Sequence, residues 1–281
     1  MASASSSATP AVLPAITVIG GGNMATAIIK GLRALPTPPT LVVSEPDAQK
    51  RERFAADGVR AVADNRVACA DARIVLLATK PQVAAQVLPE LGQAWRADRV
   101  LVSILAGTPT RALEAGIGAA ARPRVVRAMP NTPLAIGLGM VGLCRGAFAD
   151  DGDLALAESL FAPCAKILRV ADERRMDAVT AVSGSGPAYF FRFAEALVAG
   201  AMELGFSRDE AVLLISTTGA GSWRYLQESG FEAAKLREQV TSPGGTTAAA
   251  LKVINDSGFD QIWSRALKAA DERGRELGKL A

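Results

Sequence analysis

The chain has 281 residues, 49% of them hydrophobic but only 5% aromatic, and a formal net charge of +3 with both signs interspersed. The length suits two domains, the charge is too small for a nucleic-acid-binding surface, and the longest apolar runs, such as residues 74–78, are far shorter than a membrane span. There is no histidine, which removes the commonest metal ligand and the commonest general acid–base, and no metal site is expected.

In chain order, residues 1–14 are rich in Ala, Ser, Thr and Pro and carry no basic segment, so they read as a flexible tail and not as a targeting signal. A β-branched strand follows, Ile16 to Ile19, and ends in Gly20-Gly21-Gly22-Asn23-Met24-Ala25, with a helical pattern from Met24 to Leu35. Gly20, Gly22 and Ala25 fill the small-residue positions of a dinucleotide-binding turn: one for the tight turn, one for close approach of the backbone to a diphosphate, one for helix–strand packing. Free amides at the start of the helix suit the diphosphate. Further strands are expected at residues 41–44, 59–62, 73–78, 100–104, 124–129, 140–144 and 166–170, alternating with helices. That alternation predicts βαβ units and a doubly wound sheet. Thr108 is expected to cap the helix that follows it, with Pro109 in its first turn.

From Asp172 onward the texture changes to helical patterns, at 187–204, 208–228, 231–239, 246–255 and 259–277, with small and apolar residues even on faces that should meet water. A bundle of about a hundred residues seldom buries that much surface, so burial against a second copy is expected. The fold expected is therefore an α/β N-terminal Rossmann-like doubly wound domain over 15–174, followed by an all-α dimerisation domain over 175–281. Cys69, Cys144 and Cys164 are odd in number, far apart and without a C-x-x-C, and read as buried thiols in a reducing cytoplasm.

Ligands of such a sheet sit beyond the carboxyl ends of its strands. The residues expected along a nicotinamide dinucleotide are Ile19, Gly20, Gly21, Gly22, Asn23 and Met24 after the first strand and Ser44 and Glu45 after the second. Ala78, Thr79, Lys80 and Pro81 follow the strand at 73–78, and Ala106 the next one. Glu45 stands where an acid takes the ribose 2′-hydroxyl of NAD and repels the 2′-phosphate of NADP. Ser44 is equally a candidate strand-end residue, and Lys50, Arg51 and Arg53 follow closely, so both cofactors stay open at this point. In the helical half, Ser183-Gly184-Ser185-Gly186-Pro187 reads as a capped helix start, with Ser185 as the N-cap. The turn Ser242-Pro243-Gly244-Gly245-Thr246-Thr247 places amides and hydroxyls at another helix start, which suits a carboxylate.

At these residues the chain resembles the pyrroline-5-carboxylate reductase family. The resemblance rests on residues 19–25, 78–81, 127–133, 178–189 and 241–247; general dehydrogenases lack the last two in this order and spacing. It implies hydride transfer from NADPH or NADH to the imine carbon of Δ1-pyrroline-5-carboxylate, the last step of proline biosynthesis. It also implies a helical domain interleaved with that of a second subunit, so that each site uses two chains, and rings of dimers also occur. By motif, Asn65, Thr79, Lys80, Pro81 and Ala106 would lie along the cofactor; Glu173, Thr246 and Thr247 would lie near the substrate, with Ser242, Gly244 and Gly245 in the same turn. Thr247 is the expected catalytic residue, hydrogen-bonded to the ring nitrogen. Family members often carry a small polar residue at the Glu45 position, which leaves their usual NADPH preference open here. The rival readings are a hydroxyacid dehydrogenase, which needs a site lysine although Lys235, Lys252 and Lys268 sit in no motif, and a regulator that binds NAD(P) without turnover.

Overall fold

Short aliphatic runs build a single eight-stranded sheet in the order β3-β2-β1-β4-β5-β6-β7-β8 in the computed structural model, which describes residues 13–280. The strands are β1 (Ile16–Ile19), β2 (Leu41–Ser44), β3 (Arg60–Val62), β4 (Ile74–Leu77), β5 (Val100–Ser103), β6 (Arg124–Pro130), β7 (Gly139–Arg145) and β8 (Ala165–Arg169). Every residue of β1, β4 and β5 is buried. Successive side chains go to opposite faces: Ile74 and Leu76 join one apolar cluster, Val75 and Leu77 the other. Helices therefore cover both faces, which is why these strands read as unbroken apolar runs.

The covering helices are α1 (Asn23–Arg33), α2 (Ala48–Ala56), α3 (Asn65–Cys69), α4 (Ala84–Gln93), α5 (Thr110–Ile117), α6 (Asp151–Phe161) and the single turn α7 (Met176–Val179). Asp47, Asp64 and Asp150 cap α2, α3 and α6 through their side chains. β1 to β6 pair in parallel, whereas β7 runs antiparallel to β6 and β8 parallel to β7. The link from β6 to β7 holds only a tight turn at Thr132–Ile136, too short for a crossover, so the chain must reverse there. Of the expected tail, residues 1–12 lie outside the described residues; Leu13 packs against the sheet's core.

No strand follows β8 among the described residues. The helices are α8 (Gly186–Glu203), α9 (Arg208–Ser229), α10 (Ala233–Gln239), α11 (Thr246–Asp256) and α12 (Phe259–Leu280). The compact division of the chain falls after Ser185 rather than at the expected 174/175, and the first unit resumes at Ala270. Residues 173–185 stay with the sheet because they pack on it: a Cβ on Gly142 would meet Val179 at 2.7 Å, and one on Gly184 would meet Met129 at 2.6 Å.

Within the second unit, residues 186–269, only Gly186, Pro187 and Ala211 are buried. Phe190 and Trp223 pack edge to face at 5.1 Å, yet each is about half exposed. Two local expectations need correction. Ser185 lacks the extended backbone of an N-cap: residues 180–184 form a wide π-type turn closed by Ser185 N–H on the Thr180 carbonyl at 2.8 Å, and Ser185 lies at φ −82°, ψ −18° between that turn and α8. Nor does Thr108 cap α5. Its hydroxyl is buried without a partner among the described residues, and the cap comes from elsewhere.

Candidate active site

The strand register sets the geometry. Ile19 pairs with Ser44 on one side and Leu77 on the other, and Leu77 pairs with Ser103. The segments after β1, β2, β4 and β5 thus leave the sheet along one edge, with the strand order reversing at β1. Gly20 lies at φ +96°, and a Cβ there would stand 2.9 Å from the Ala78 carbonyl oxygen. Only glycine lets the loops after β1 and β4 approach this closely. Gly22 is extended and opens α1, and a Cβ on it would meet nothing within 4 Å. The first turn of α1, with Asn23 and Met24, has no side-chain cap and no acid, so its amides and dipole are available to an anion. Ala25 is buried against the sheet, as the motif requires.

Of the two residues at the end of β2, Glu45, just beyond the strand, and not Ser44, its last residue, faces the glycine turn. Glu45 is 5% exposed; its Oε2 accepts from Gly21 N–H at 2.8 Å and its Oε1 from Asp47 N–H at 3.1 Å. Lys50 Nζ stands 3.8 Å from Oε2. Ser44 is buried, and its hydroxyl donates to Asn65 Oδ1 at 2.7 Å; the Asn65 amide donates in turn to Glu90 at 2.7 Å. After β4, the Thr79 hydroxyl is buried with no partner among the described residues. A buried hydroxyl in that condition is costly unless a ligand completes it. Lys80 and Ala106 are exposed at the same edge, and Pro81 opens a short turn. An uncapped helix start, room over Gly22 and an unpartnered hydroxyl at one sheet edge fit a dinucleotide.

Glu173 lies in the same unit. Its oxygens accept from Thr110 N–H and Thr110 Oγ1, both at 2.7 Å, which makes it the cap of α5. Arg127, 5% exposed in its side chain, stands 3.4 Å from Glu173 and donates to Asp177 at 3.0 Å. In the second unit, Gly244 has φ +72° and Gly245 is extended, its N–H donating to the Ser242 carbonyl at 3.1 Å. Thr246 then opens α11, which has no side-chain cap and no acid in its first turn. Thr247 is half-buried.

Sequence reasoning counts Arg127 and Asn131 within the resembling segment 127–133 and Asn131 among the polar strand-end residues that could line a nucleotide, but gives Arg127 no role of its own. Asn131 ties β6 to the π-type turn, accepting from Met140 N–H at 2.9 Å and donating to Ser183 at 3.3 Å. The signal for Arg127 is a cation in the middle of an apolar strand, which needs nearby acids to pair with. Burial pushes the thiols of Cys69, Cys144 and Cys164 up to about 11, so they are poor nucleophiles.

A doubly wound sheet, a glycine turn opening an uncapped helix and an acid beyond the second strand define a dinucleotide-binding protein of the oxidoreductase type. Two family models match: "NADP oxidoreductase coenzyme F420-dependent" over residues 15–107 and "Pyrroline-5-carboxylate reductase dimerisation" over residues 173–277. Pyrroline-5-carboxylate reductase of Pseudomonas aeruginosa is 41% identical over 95% of this chain and 97% of its own length. The chain belongs to the pyrroline-5-carboxylate reductase family. Among solved structures, the reductase from Coxiella burnetii superposes with a TM-score of 0.87 at 36% identity, over 93% of this chain and 97% of that one. The Plasmodium falciparum reductase with NADP bound superposes with 0.83 at 26% identity, over 94% and 98%.

Proposed function

We propose that the protein reduces Δ1-pyrroline-5-carboxylate to L-proline with NAD(P)H. The observation that carries this reading is that the relationship runs through both halves, 95% of the chain, so the nucleotide edge and the Ser242–Thr247 turn both belong to the matched sequence.

The amides of Gly22, Asn23 and Met24 would hold the diphosphate at the start of α1, since Gly20 N–H is taken by the Ser44 carbonyl and Gly21 N–H by Glu45. The Thr79 hydroxyl would gain its missing partner, with Lys80, Pro81 and Ala106 along the same edge. Bound reduced nicotinamide supplies the hydride to the imine carbon. The hydroxyls of the Ser242–Thr247 turn and the amides of Thr246 and Thr247 hold the substrate carboxylate at the start of α11, the Gly245 N–H being used to close the turn on Ser242, and Thr247 hydrogen-bonds the ring nitrogen. An imine nitrogen is basic enough to be protonated before hydride arrives, so no strong acid is needed, which suits a chain without histidine. A threonine hydroxyl is a weak acid; its work is to orient the ring and to relay a proton from water. Fixing donor and acceptor carbons close together supplies most of the acceleration. Both Glu173 oxygens already serve Thr110, so its part on the substrate side is to hold the start of α5 in place.

The near absence of buried side chains in residues 186–269 supports a homodimer in which this region is covered by its counterpart. The Ser242–Thr247 turn of one subunit then serves the nucleotide edge of its partner, and dimers can assemble further into rings. The three buried thiols support a cytoplasmic setting.

The test is loss of reduced-nicotinamide absorbance with pyrroline-5-carboxylate, with 2-keto acids and with no added substrate. Oxidation with pyrroline-5-carboxylate alone is the expected result. Oxidation with keto acids alone would mark a hydroxyacid dehydrogenase, and tight binding without turnover a sensor; either would overturn the proposal.

A further inference from the structure

We propose that Glu45 selects the unphosphorylated cofactor, so that this chain binds NADH in preference to NADPH. The inference rests on the dinucleotide reading of the sheet edge and goes beyond it, since the Plasmodium relative has NADP bound and family membership alone does not choose between the two.

Three observations carry it. The first is direction. The Glu45 carboxylate follows β2 beside the reversal of strand order at β1, and it lies against the glycine turn itself: a Cβ on Gly21 would stand 3.1 Å from Oε2. This is the place where an acid receives a ribose 2′-hydroxyl.

The second is fixation. Each carboxylate oxygen is held by a main-chain amide, Gly21 on Oε2 and Asp47 on Oε1. The group cannot swing aside for a phosphate without stripping a partner from the turn that holds the diphosphate. A carboxylate has about four acceptor positions, so one on each oxygen remains for a donating hydroxyl. A 2′-phosphate has no comparable donor to offer and would bring a second anion against a fixed, almost fully buried one.

The third is the state of the nearby cations. Arg51 is committed to the loop, its Nη1 donating to the carbonyls of Glu45 and Pro46 at 2.8 and 2.7 Å. Lys50 is drawn toward Glu45 at 3.8 Å. Of the three basic residues that follow β2, the two nearest the acid are thus turned toward it and its backbone, while Arg53 is exposed.

The test is direct binding to the full chain, with turnover as a second readout. NADH and NADPH are titrated separately without substrate, following nicotinamide fluorescence. The unmodified protein should bind NADH about tenfold or more tightly than NADPH, the ratio that about 1.4 kcal/mol gives. Glu45→Gln keeps an acceptor for Gly21 and removes the charge; it should move the ratio toward NADPH by about tenfold or more. Glu45→Ser, which also shortens the side chain, should move it the same way and keeps the test open if the Gln variant misfolds. NADPH binding as tight as NADH in the unmodified chain, or an unchanged ratio in folded variants, would overturn the inference. Binding of neither dinucleotide would overturn the proposed function along with it. A clear NADH preference in a chain that leaves pyrroline-5-carboxylate unreduced would uphold this inference and sink the activity.

Discussion

At the scale of single residues, the site depends on positions where one side chain decides the geometry. Gly20→Ala forces a Cβ to 2.9 Å from the Ala78 carbonyl at φ +96°. It should lower stability by about 1–3 kcal/mol and weaken dinucleotide binding, read by urea unfolding and cofactor titration. Thr247→Ala removes the hydroxyl assigned to the ring nitrogen. It should lower turnover by about one to three orders of magnitude, as when an oriented hydrogen bond to the reacting centre is lost, with cofactor affinity unchanged; near-normal turnover would refute the role. The glycine turn is legible in sequence because its requirements are local: a strand, a sharp turn and a helix start within a few residues. The direction of Glu45 is not, because it depends on Gly21 and Asp47 amides that only the assembled loop brings to it.

At the scale of elements, local signals also divide what could be read from what could not. Asp47, Asp64 and Asp150 announce α2, α3 and α6, and these helices begin where their caps place them. The start of α5 has no such signal. Its cap is Glu173, which lies 63 residues beyond Thr110, so the nearby Thr108 is the natural but mistaken choice. Glu173→Ala should therefore cost about 0.5–2 kcal/mol of stability, as for a lost helix cap, and should leave Arg127 with Asp177 as its remaining acid. Urea unfolding measures the loss, and Glu173→Gln, which can still accept from Thr110, should recover part of it. The antiparallel course of β7 follows from the length of the link after β6, a feature that strand-by-strand reading overlooks. The π-type turn at 180–184 was hidden for another reason: Ser-Gly-Ser-Gly-Pro has the composition of a capped helix start, and only the contact of Gly184 with Met129 shows the wider turn packed on the sheet.

At the scale of the whole molecule, the two units hold themselves together by different means. The sheet unit has large apolar clusters on both faces. In residues 186–269, side chains such as Phe191 at 64% and Leu213 at 66% remain exposed. Apolar surface on that scale marks an interface. Leu213→Glu would place a charge on α9, and if this face is covered by a second copy it should weaken or abolish the dimer, as measured by sedimentation; an unaltered dimer would put the interface on another face. The sparse burial in this region bears also on how the protein comes into being. A region that cannot stabilise itself gains its free energy from association, so its persistence obeys mass action. The melting midpoint should then climb with protein concentration. In a cell making few copies, the step that limits the appearance of active enzyme would be the meeting of two chains rather than the folding of either.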